Sequence, residues 1–202
     1  MNSPVAPDCV LAVDIGGTKL AAGLVDATGQ VLWSNRAPTP VTGPGDAEVM
    51  WSALTALIAT APSQPRPRAV GVGCGGPMED RNETVSPLNI AGWRSFPLRR
   101  RLSEFTGLAA HVDNDAKALA LAEGMWGGAA GCDNYLSMVV STGVGGGVVV
   151  DGRLLDGRSW NAGHIGHVIV NPGGRQCTCG AFGCLEAEAS GTAVQAMTGR
   201  PA

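Results

Sequence analysis

Two glycine-rich turns hold residue types that suit phosphate binding. The first covers residues 14–19 (DIGGTK) and the second covers residues 141–147 (STGVGGG). An apolar run precedes and follows each turn, which predicts strand, tight turn and strand. Exposed backbone N–H groups at such a turn suit a polyphosphate, so the repeated pattern predicts two halves that face one ligand. The candidate phosphate-binding residues are Asp14, Gly16, Gly17, Thr18, Lys19, Thr142, Gly143, Gly145 and Gly146.

The first turn is not a P-loop, because a P-loop has four residues between its glycines, then Lys-Ser/Thr and a helix. Here a strand is predicted to follow, with Thr18 and backbone amides toward the terminal phosphates and Asp14 near the metal. An ordinary β-turn with an Asx contact explains this turn equally well. The second turn has four glycines in residues 142–147. That number costs chain entropy beyond what an ordinary turn requires and favours phosphate binding.

Asn114 and Asp115 lie where a predicted strand ends and a predicted helix begins. Asp115 is therefore a natural N-cap, and this structural interpretation explains its residue type. The functional alternative is a general base that accepts the proton of an attacking hydroxyl group. A helix N-terminus favours the ionised form that such a base needs.

A histidine and three clustered cysteines have the composition of a metal site. His167, Cys177, Cys179 and Cys184 form a Cys3His set, which is typical of closed structural zinc sites. Cys177 and Cys179 are too close in the chain for an easy mutual disulfide. Free thiols are the alternative. Zinc with four protein ligands has no open position, so we expect it to hold a loop and not to catalyse a reaction.

Hydrophobic patterns predict an α/β chain with a weak internal repeat. The second hairpin pattern, over residues 136–155, resembles the first one, and we therefore predict two related α/β domains, 1–113 and 114–202. The other predicted elements are three short strands within 10–32, a Pro/Gly/Thr connection over 36–46, a helix over 47–61 with Asp46 as N-cap, a strand over 69–74, a long polar loop over 78–97, a helix over 98–105, a strand over 109–112 and a helix over 116–126.

Composition excludes several classes of protein. The 202 residues are 45% apolar and carry a net charge of −3, so a sizeable core is expected and no basic surface for nucleic acid. Residues 1–8 have no signal-peptide pattern, and no apolar run approaches membrane-spanning length. A cytoplasmic protein without nucleic-acid or membrane partners is expected, and its six cysteines are not expected to form a disulfide framework.

These motifs together resemble those of the ROK sugar kinases (repressor, open reading frame, kinase). The resemblance follows the family's order and covers nearly the whole chain. The matching segments are the two phosphate turns, the Asn114-Asp115 pair, the loop 89–93 (NIAGW) that closes over the sugar, and the signature formed by 163–167 (GHIGH), the three clustered cysteines and Glu186.

The resemblance implies an actin-like (ribonuclease H-like) two-domain ATPase fold. It also implies transfer of the ATP γ-phosphate to a hexose, either glucose or an N-acetylhexosamine, with Mg²⁺. By match, Asp115 is the general base, and His167 binds both the zinc and the sugar through its two ring nitrogens. The implied sugar-binding residues are Asn89, Asn114, His164, His167 and Glu186.

Two positions depart from the family pattern. His164 stands where glucokinase-like members usually carry a glutamate whose carboxylate binds sugar hydroxyls. A neutral histidine offers one acceptor and a charged one offers none, so we expect a changed preference among sugars or weaker binding. Ser141 stands where glycine is usual, which is a milder change.

Family members continue well beyond the zinc motif, so the resemblance implies an incomplete second domain, with packing faces exposed. Marginal stability and aggregation are expected for the isolated chain, and a homo-oligomer for a completed fold. A non-catalytic sugar sensor or truncated relic is the alternative function. A ROK repressor is disfavoured, because only nine residues precede the first predicted strand. The sugar, the donor (ATP or polyphosphate) and the oligomeric state stay open.

Overall fold

The computed structural model describes residues 8–200. Residues 1–8, for which the sequence predicts no signal peptide, lie almost wholly outside the described residues. Within the described residues, no helix has the length and apolar character needed to cross a bilayer. The chain forms two compact units, one that ends at Asp115 and one that begins at Ala116. We refer to them as unit 1 and unit 2.

Unit 1 is built on a five-stranded mixed sheet. In chain order its elements are β1 (Cys9–Ile15), β2 (Lys19–Asp26), β3 (Val31–Pro38), α1 (Ala47–Ile58), β4 (Pro67–Cys74), β5 (Met78–Glu79), β6 (Thr84–Val85), α2 (Leu98–Thr106) and β7 (Ala109–Asn114). The large sheet has the order β3-β2-β1-β4-β7. The first three strands form an antiparallel meander, and β1, β4 and β7 are parallel. β5 and β6 form a separate short ribbon.

One continuous hydrophobic cluster fills unit 1. Side chains of β1 alternate between buried and more exposed positions, as expected for a strand with one face on a core. Helices α1 and α2 bury apolar residues in the same cluster, including Met50, Leu54, Leu98 and Leu102. Burial of such side chains is the main favourable term in folding, so unit 1 has an apolar core of its own.

The predicted polar loop over residues 78–97 is anchored by a buried aromatic pair. Trp93 is fully buried and stacks on Phe96, with ring centroids 4.3 Å apart and planes 3° from parallel. The indole Nε1 of Trp93 donates to the carbonyl of Ala47, at the start of α1. The loop 89–93 is therefore held against the core of unit 1.

Two local predictions in unit 1 need correction. Asp46 precedes α1 as predicted, but its side chain makes no capping hydrogen bond to the helix. Its Oδ2 instead accepts from the backbone N of Gly43, three residues earlier, at 2.9 Å. The predicted connection over 36–46 is also too long, because β3 continues to Pro38 by pairing with β2.

Unit 2 is smaller and contains a three-stranded antiparallel sheet. Its elements are α3 (Asp115–Trp126), whose first residue is the last residue of unit 1, then β8 (Tyr135–Val140), β9 (Val144–Val150), β10 (Arg153–Leu154), a 3-10 turn (Ile165–His167), α4 (Leu185–Ala189) and α5 (Gly191–Thr198). The strand order is β10-β9-β8. This meander repeats the connectivity of β1, β2 and β3.

Candidate functional site

The carboxyl ends of three parallel strands of unit 1 gather several predicted site residues. Asp14 on β1 pairs with Gly73 on β4, which pairs with Asp113 on β7. Ligands of open α/β sheets bind at this edge, because the loops that follow the strands meet there. Asn114 and Asp115 follow Asp113 directly, so the sheet brings the first phosphate turn and the Asn-Asp pair to one edge.

The two carboxylates at this edge interact electrostatically. The pKa of Asp14 is raised above its ordinary value, first by burial and then by the negative charge of Asp115, while Lys19 acts in the opposite direction. The thiol of Cys74, at the end of β4, has its pKa raised by its own burial and then by the same two carboxylates. Asp14, Cys74 and Asp115, at or just after the ends of three adjacent strands, therefore interact electrostatically, as is common at functional sites.

The first glycine turn is braced from two sides. Thr39, just after β3, donates from Oγ1 to the carbonyl of Gly16 at 2.7 Å and from its backbone N to the carbonyl of Thr18 at 3.1 Å. Asn89 packs on the turn so closely that a Cβ on Gly17 would lie 2.6 Å from its Nδ2. A side chain at position 17 would displace Asn89, so glycine there lets the predicted sugar-binding Asn89 lie beside the predicted phosphate turn.

Glu186 lies on the second glycine turn, in unit 2. Its Oε2 accepts a hydrogen bond from the backbone N of Val144 at 2.9 Å. A Cβ on Gly143 would collide with the same oxygen. The turn is also tied to α5, because Thr192 donates to the carbonyl of Thr142 and Gly191 to that of Ser141. A predicted sugar-binding carboxylate thus occupies a backbone donor of a predicted phosphate turn.

The other glycines of the second turn have a packing role. A Cβ on Gly145 would lie 2.8 Å from Ala116, and one on Gly147 would lie 2.5 Å from Ala120, so both glycines let β9 approach α3 closely. A Cβ on Gly146 would lie 2.6 Å from Ile165. The abundance of glycine that favours phosphate binding in the sequence therefore has, at these three positions, a separate structural cause.

His167, Cys177, Cys179 and Cys184 converge on one point in unit 2. Their ligand atoms all lie within 4.8 Å of one another. The Nδ1 of His167 is 3.7 Å from the sulfur of Cys177, and the sulfurs of Cys179 and Cys184 are also 3.7 Å apart. The backbone around the cluster is tied by hydrogen bonds such as that from Cys177 N to the carbonyl of Ala181 at 2.8 Å.

The surroundings of the cluster shift the pKa values of two of its thiols in opposite directions. Hydrogen bonding, first from the backbone of Ala181, lowers the pKa of Cys179. Burial raises the pKa of Cys184 to about 12, and the neighbouring cysteines add to this effect. A buried thiol with such a pKa gains most from a cation, because a metal ligand must be a thiolate.

His164 lies at the start of the 3-10 turn that leads to His167. The two imidazole rings are 6.2 Å apart between centroids, and the backbone N of His167 donates to the carbonyl of His164. A Cβ on Gly166 would collide with the carbonyl of Val144, so the turn lies directly on β9. Position 164 is therefore held between the metal cluster and the second glycine turn.

Sequence reasoning missed one buried ion pair of unit 2. Lys117, in the first turn of α3, is fully buried, and its Nζ lies 2.7 Å from Oδ1 of Asp156. The available signal was a single lysine within the alanine- and leucine-rich stretch 116–122. A lysine there is ordinarily expected to be exposed, so the sequence pattern does not indicate a buried partner.

Comparisons with known proteins agree with the motifs. A model of the ROK family matches residues 10–202. An N-acetylmannosamine kinase from Escherichia fergusonii is 42% identical over 189 residues, which cover 92% of this chain and 62% of that protein. One from Shigella flexneri is 41% identical over 190 residues, covering 93% of this chain and 63% of that protein. The chain therefore spans about three fifths of the length of these relatives.

Solved structures show the same fold. A ROK family glucokinase from Streptomyces griseus, in complex with glucose and AMPPNP, matches with a TM-score of 0.84 at 39% identity, covering 92% of this chain and 58% of that one. A ROK hexokinase from Thermus thermophilus matches with a TM-score of 0.75 at 41% identity, covering 96% of this chain and 65% of that one. The predicted α/β fold of the actin-like type is confirmed.

Proposed function

The chain belongs to the ROK family, and from this premise we propose that it transfers the γ-phosphate of ATP to a hydroxyl group of a hexose or N-acetylhexosamine. The observation that carries the proposal is the edge of unit 1, where Asp14, Asn89 and Asp115 are gathered by the first turn and the ends of β1, β4 and β7. The relatives named as N-acetylmannosamine kinases and the glucokinase with bound glucose and AMPPNP support it.

In this proposal Asp115 is the general base. It accepts the proton of the attacking sugar hydroxyl from its place at the start of α3. Asn89 and Asn114 bind sugar hydroxyls. Asp14 lies at the end of β1 beside the first turn and provides an oxygen ligand of the kind that Mg²⁺ prefers. When bound, Mg²⁺ neutralises charge on the transferred phosphoryl group.

Residues of unit 2 supply the rest of the proposed machinery. The backbone amides of the second turn bind phosphate, and His164, His167 and Glu186 bind the sugar. The hydrogen bond from Val144 N to Glu186 keeps this carboxylate in a fixed orientation without using its second oxygen. Catalysis in such a site rests on positioning and charge stabilisation.

Zinc is proposed as the structural ion of the Cys3His cluster. Tetrahedral coordination with Zn–S bonds of about 2.3 Å places neighbouring sulfurs about 3.8 Å apart, and Cys179 and Cys184 are 3.7 Å apart. His167 directs Nδ1 to the cluster, which leaves Nε2 for the sugar. The fit supports a closed site that orders the segment around His167. Metal analysis of the purified chain tests this directly, with about one zinc per chain expected.

The deciding experiment measures ADP release by the 202-residue chain with ATP, Mg²⁺ and a panel that includes glucose and N-acetylmannosamine. Sugar-dependent release is expected, and Asp115→Asn should lower kcat by about 10²- to 10⁴-fold, which is the range for a general base. Repeating the assay with polyphosphate identifies the donor.

The control variant is Asp113→Asn, which alters the neighbouring carboxyl but not the proposed base. A loss of activity in Asp113→Asn equal to that in Asp115→Asn would contradict the role of Asp115. Calorimetry with the same sugars separates the alternatives: sugar binding without ADP release would identify a sensor and overturn the proposed kinase activity.

A further inference from the structure

The buried ion pair of unit 2 connects a helix to the loop that precedes the sugar-binding signature. Lys117 is 0% exposed, whereas the side chain of Asp156 is 36% exposed. The Nζ of Lys117 lies 2.7 Å from Oδ1 of Asp156 and also 3.5 Å from the carbonyl oxygen of Trp160. A lysine ammonium is costly to bury unless it is paired and hydrogen-bonded. The two oxygens therefore compensate a charge that is fully removed from water.

Both oxygens belong to the same loop, residues 155–164, which follows β10. The loop has three residues with positive φ, namely Gly157 (70°), Trp160 (63°) and Gly163 (88°). For a bulky residue such as tryptophan this conformation is strained, so contacts from outside must hold it. A hydrogen bond from Ala162 N to the carbonyl of Asp156 closes the loop internally.

The end of the loop determines where the signature histidines lie. Gly163 touches β9 so closely that a Cβ there would lie 2.9 Å from the carbonyl of Gly146. His164 follows immediately, and the 3-10 turn then leads to His167. A shift of the loop at Asp156 or Trp160 is therefore transmitted over a few residues to His164.

We propose that Lys117 is a positioning residue: its buried ammonium holds Asp156 and the carbonyl of Trp160, fixes the loop 155–164, and so sets the affinity for the sugar through His164. The link to sugar affinity rests on the proposed function, whereas the fixing of the loop does not. Lys117 touches neither substrate nor reacting atoms in this proposal. It acts on binding and not on phosphoryl transfer.

Limited proteolysis tests the fixing of the loop without any assay of activity. Arg158 is an exposed tryptic site within the loop, and Arg153, on β10, is an exposed site outside it. In Lys117→Met, cleavage after Arg158 should rise about tenfold, because cleavage follows the population of the open loop. Cleavage after Arg153 should not change. Equal rates after Arg158 in wild type and variant would overturn the proposal.

Kinetics test the link to the sugar. Lys117→Met should raise the hexose KM about tenfold, with kcat and the ATP KM within about twofold of wild type, the pattern of lost uniform binding. In a chain without turnover, the sugar Kd from calorimetry replaces KM, so failure of the kinase proposal does not remove the test. A fall in kcat with unchanged hexose KM or Kd would contradict the positioning role.

Three further variants complete the design. Asp156→Asn tests the pair from its exposed side and should increase cleavage after Arg158 as well. In the double variant the effects should not add, because both changes remove one interaction. Arg200→Met, which removes an exposed positive charge elsewhere in unit 2, is the control and should behave as wild type. Additive effects of the pair would refute the coupling.

Discussion

Units 1 and 2 each contain a three-stranded meander, but they differ in the side chains that they bury. Unit 1 buries large apolar side chains from both helices and from four strands of its large sheet, among them Ile15, Leu54 and Leu102. The buried hydrophobic residues of unit 2 are small or are metal-ligand candidates: Ala116, Ala120, Val144, Val149, Cys177, Cys184 and Ala193. Apolar side chains along one face of β8, namely Leu136, Met138 and Val140, are instead about half exposed.

Each unit is therefore stabilised internally by a different kind of interaction. Unit 1 has the continuous core that normally stabilises a domain. Within the described residues, unit 2 has instead glycine-mediated contacts of β9 with α3, the buried pair Lys117–Asp156 and the Cys3His cluster. The glycine contacts depend on close packing, the ion pair depends on charge, and in our proposal the cluster depends on zinc.

Removal of the proposed zinc should destabilise unit 2 and leave unit 1 folded. Structural zinc contributes on the order of 10 kcal/mol of binding free energy to the fold that holds it. Chelation, or Cys184→Ala, should therefore abolish hydrogen-exchange protection around residues 165–189, while the strands β1, β4 and β7 keep theirs.

Cys132→Ala is the matched control, because Cys132 is exposed and outside the cluster. Hydrogen exchange that is unchanged around 165–189 after chelation would show that the cluster does not order unit 2.

Truncation of an apolar side chain should cost more in the core of unit 1 than on the exposed face of β8 in unit 2. Leu54→Ala empties a fully buried position and should lower the free energy of unfolding by about 2–5 kcal/mol. Met138→Ala, at a position that is 52% exposed, should change it by less than about 0.5 kcal/mol. Urea denaturation of both variants measures the difference, and similar losses would mean that the face of β8 is covered in solution.

A methyl group should be tolerated at Gly71 of unit 1 and not at Gly147 of unit 2. Gly147→Ala places a Cβ 2.5 Å from that of Ala120 and should cost about 1–3 kcal/mol through overpacking. Gly71→Ala, on β4, meets no atom within 4 Å. Thermal unfolding should therefore show a lower Tm for Gly147→Ala alone, and equal Tm values would argue against close packing of β9 on α3.

The pH dependence of stability should reveal the raised pKa of Asp14 in unit 1. The pKa of Asp14 is raised in the folded state above its ordinary 3.8, chiefly by burial and then by Asp115. Below 3.8 the group is protonated in both states. As pH rises through the folded pKa, the folded state must lose a proton that it holds more tightly, so its stability falls.

In urea denaturation, Asp14→Asn should therefore become more stable relative to wild type as the pH rises above 3.8 and through the raised pKa of Asp14. Asp26→Asn is the control, because hydrogen bonds, first from Thr28, lower the pKa of Asp26, and its contribution is lost below this window. A difference between Asp14→Asn and wild type that does not vary with pH would contradict a raised pKa of Asp14 in the folded state.

Local patterns were sufficient for much of the fold. Apolar runs on either side of the glycine turns predicted the paired strands, and the helices over 98–105 and 116–126 match α2 and α3 within one residue at either end. The spacing of the cysteines predicted a cluster that the structure brings within 4.8 Å. The extent of β3 and the orientation of Asp46 were not predicted. The first depends on how far β3 pairs with β2, and the second depends on the hydrogen bond that Asp46 accepts from Gly43 in place of one from α1.

The residue types at 14–19, 114–115 and 163–186 determined the family, since short-range spacing and order along the chain carry that information. Only the tertiary structure decided that Asn89 packs on Gly17, that Glu186 takes the amide of Val144, and that Lys117 is buried against Asp156. These partners lie 39 or more residues apart, and their meeting depends on strand register and on the close approach of backbones. No pattern along the chain encodes such contacts, because they arise only when separate elements pack.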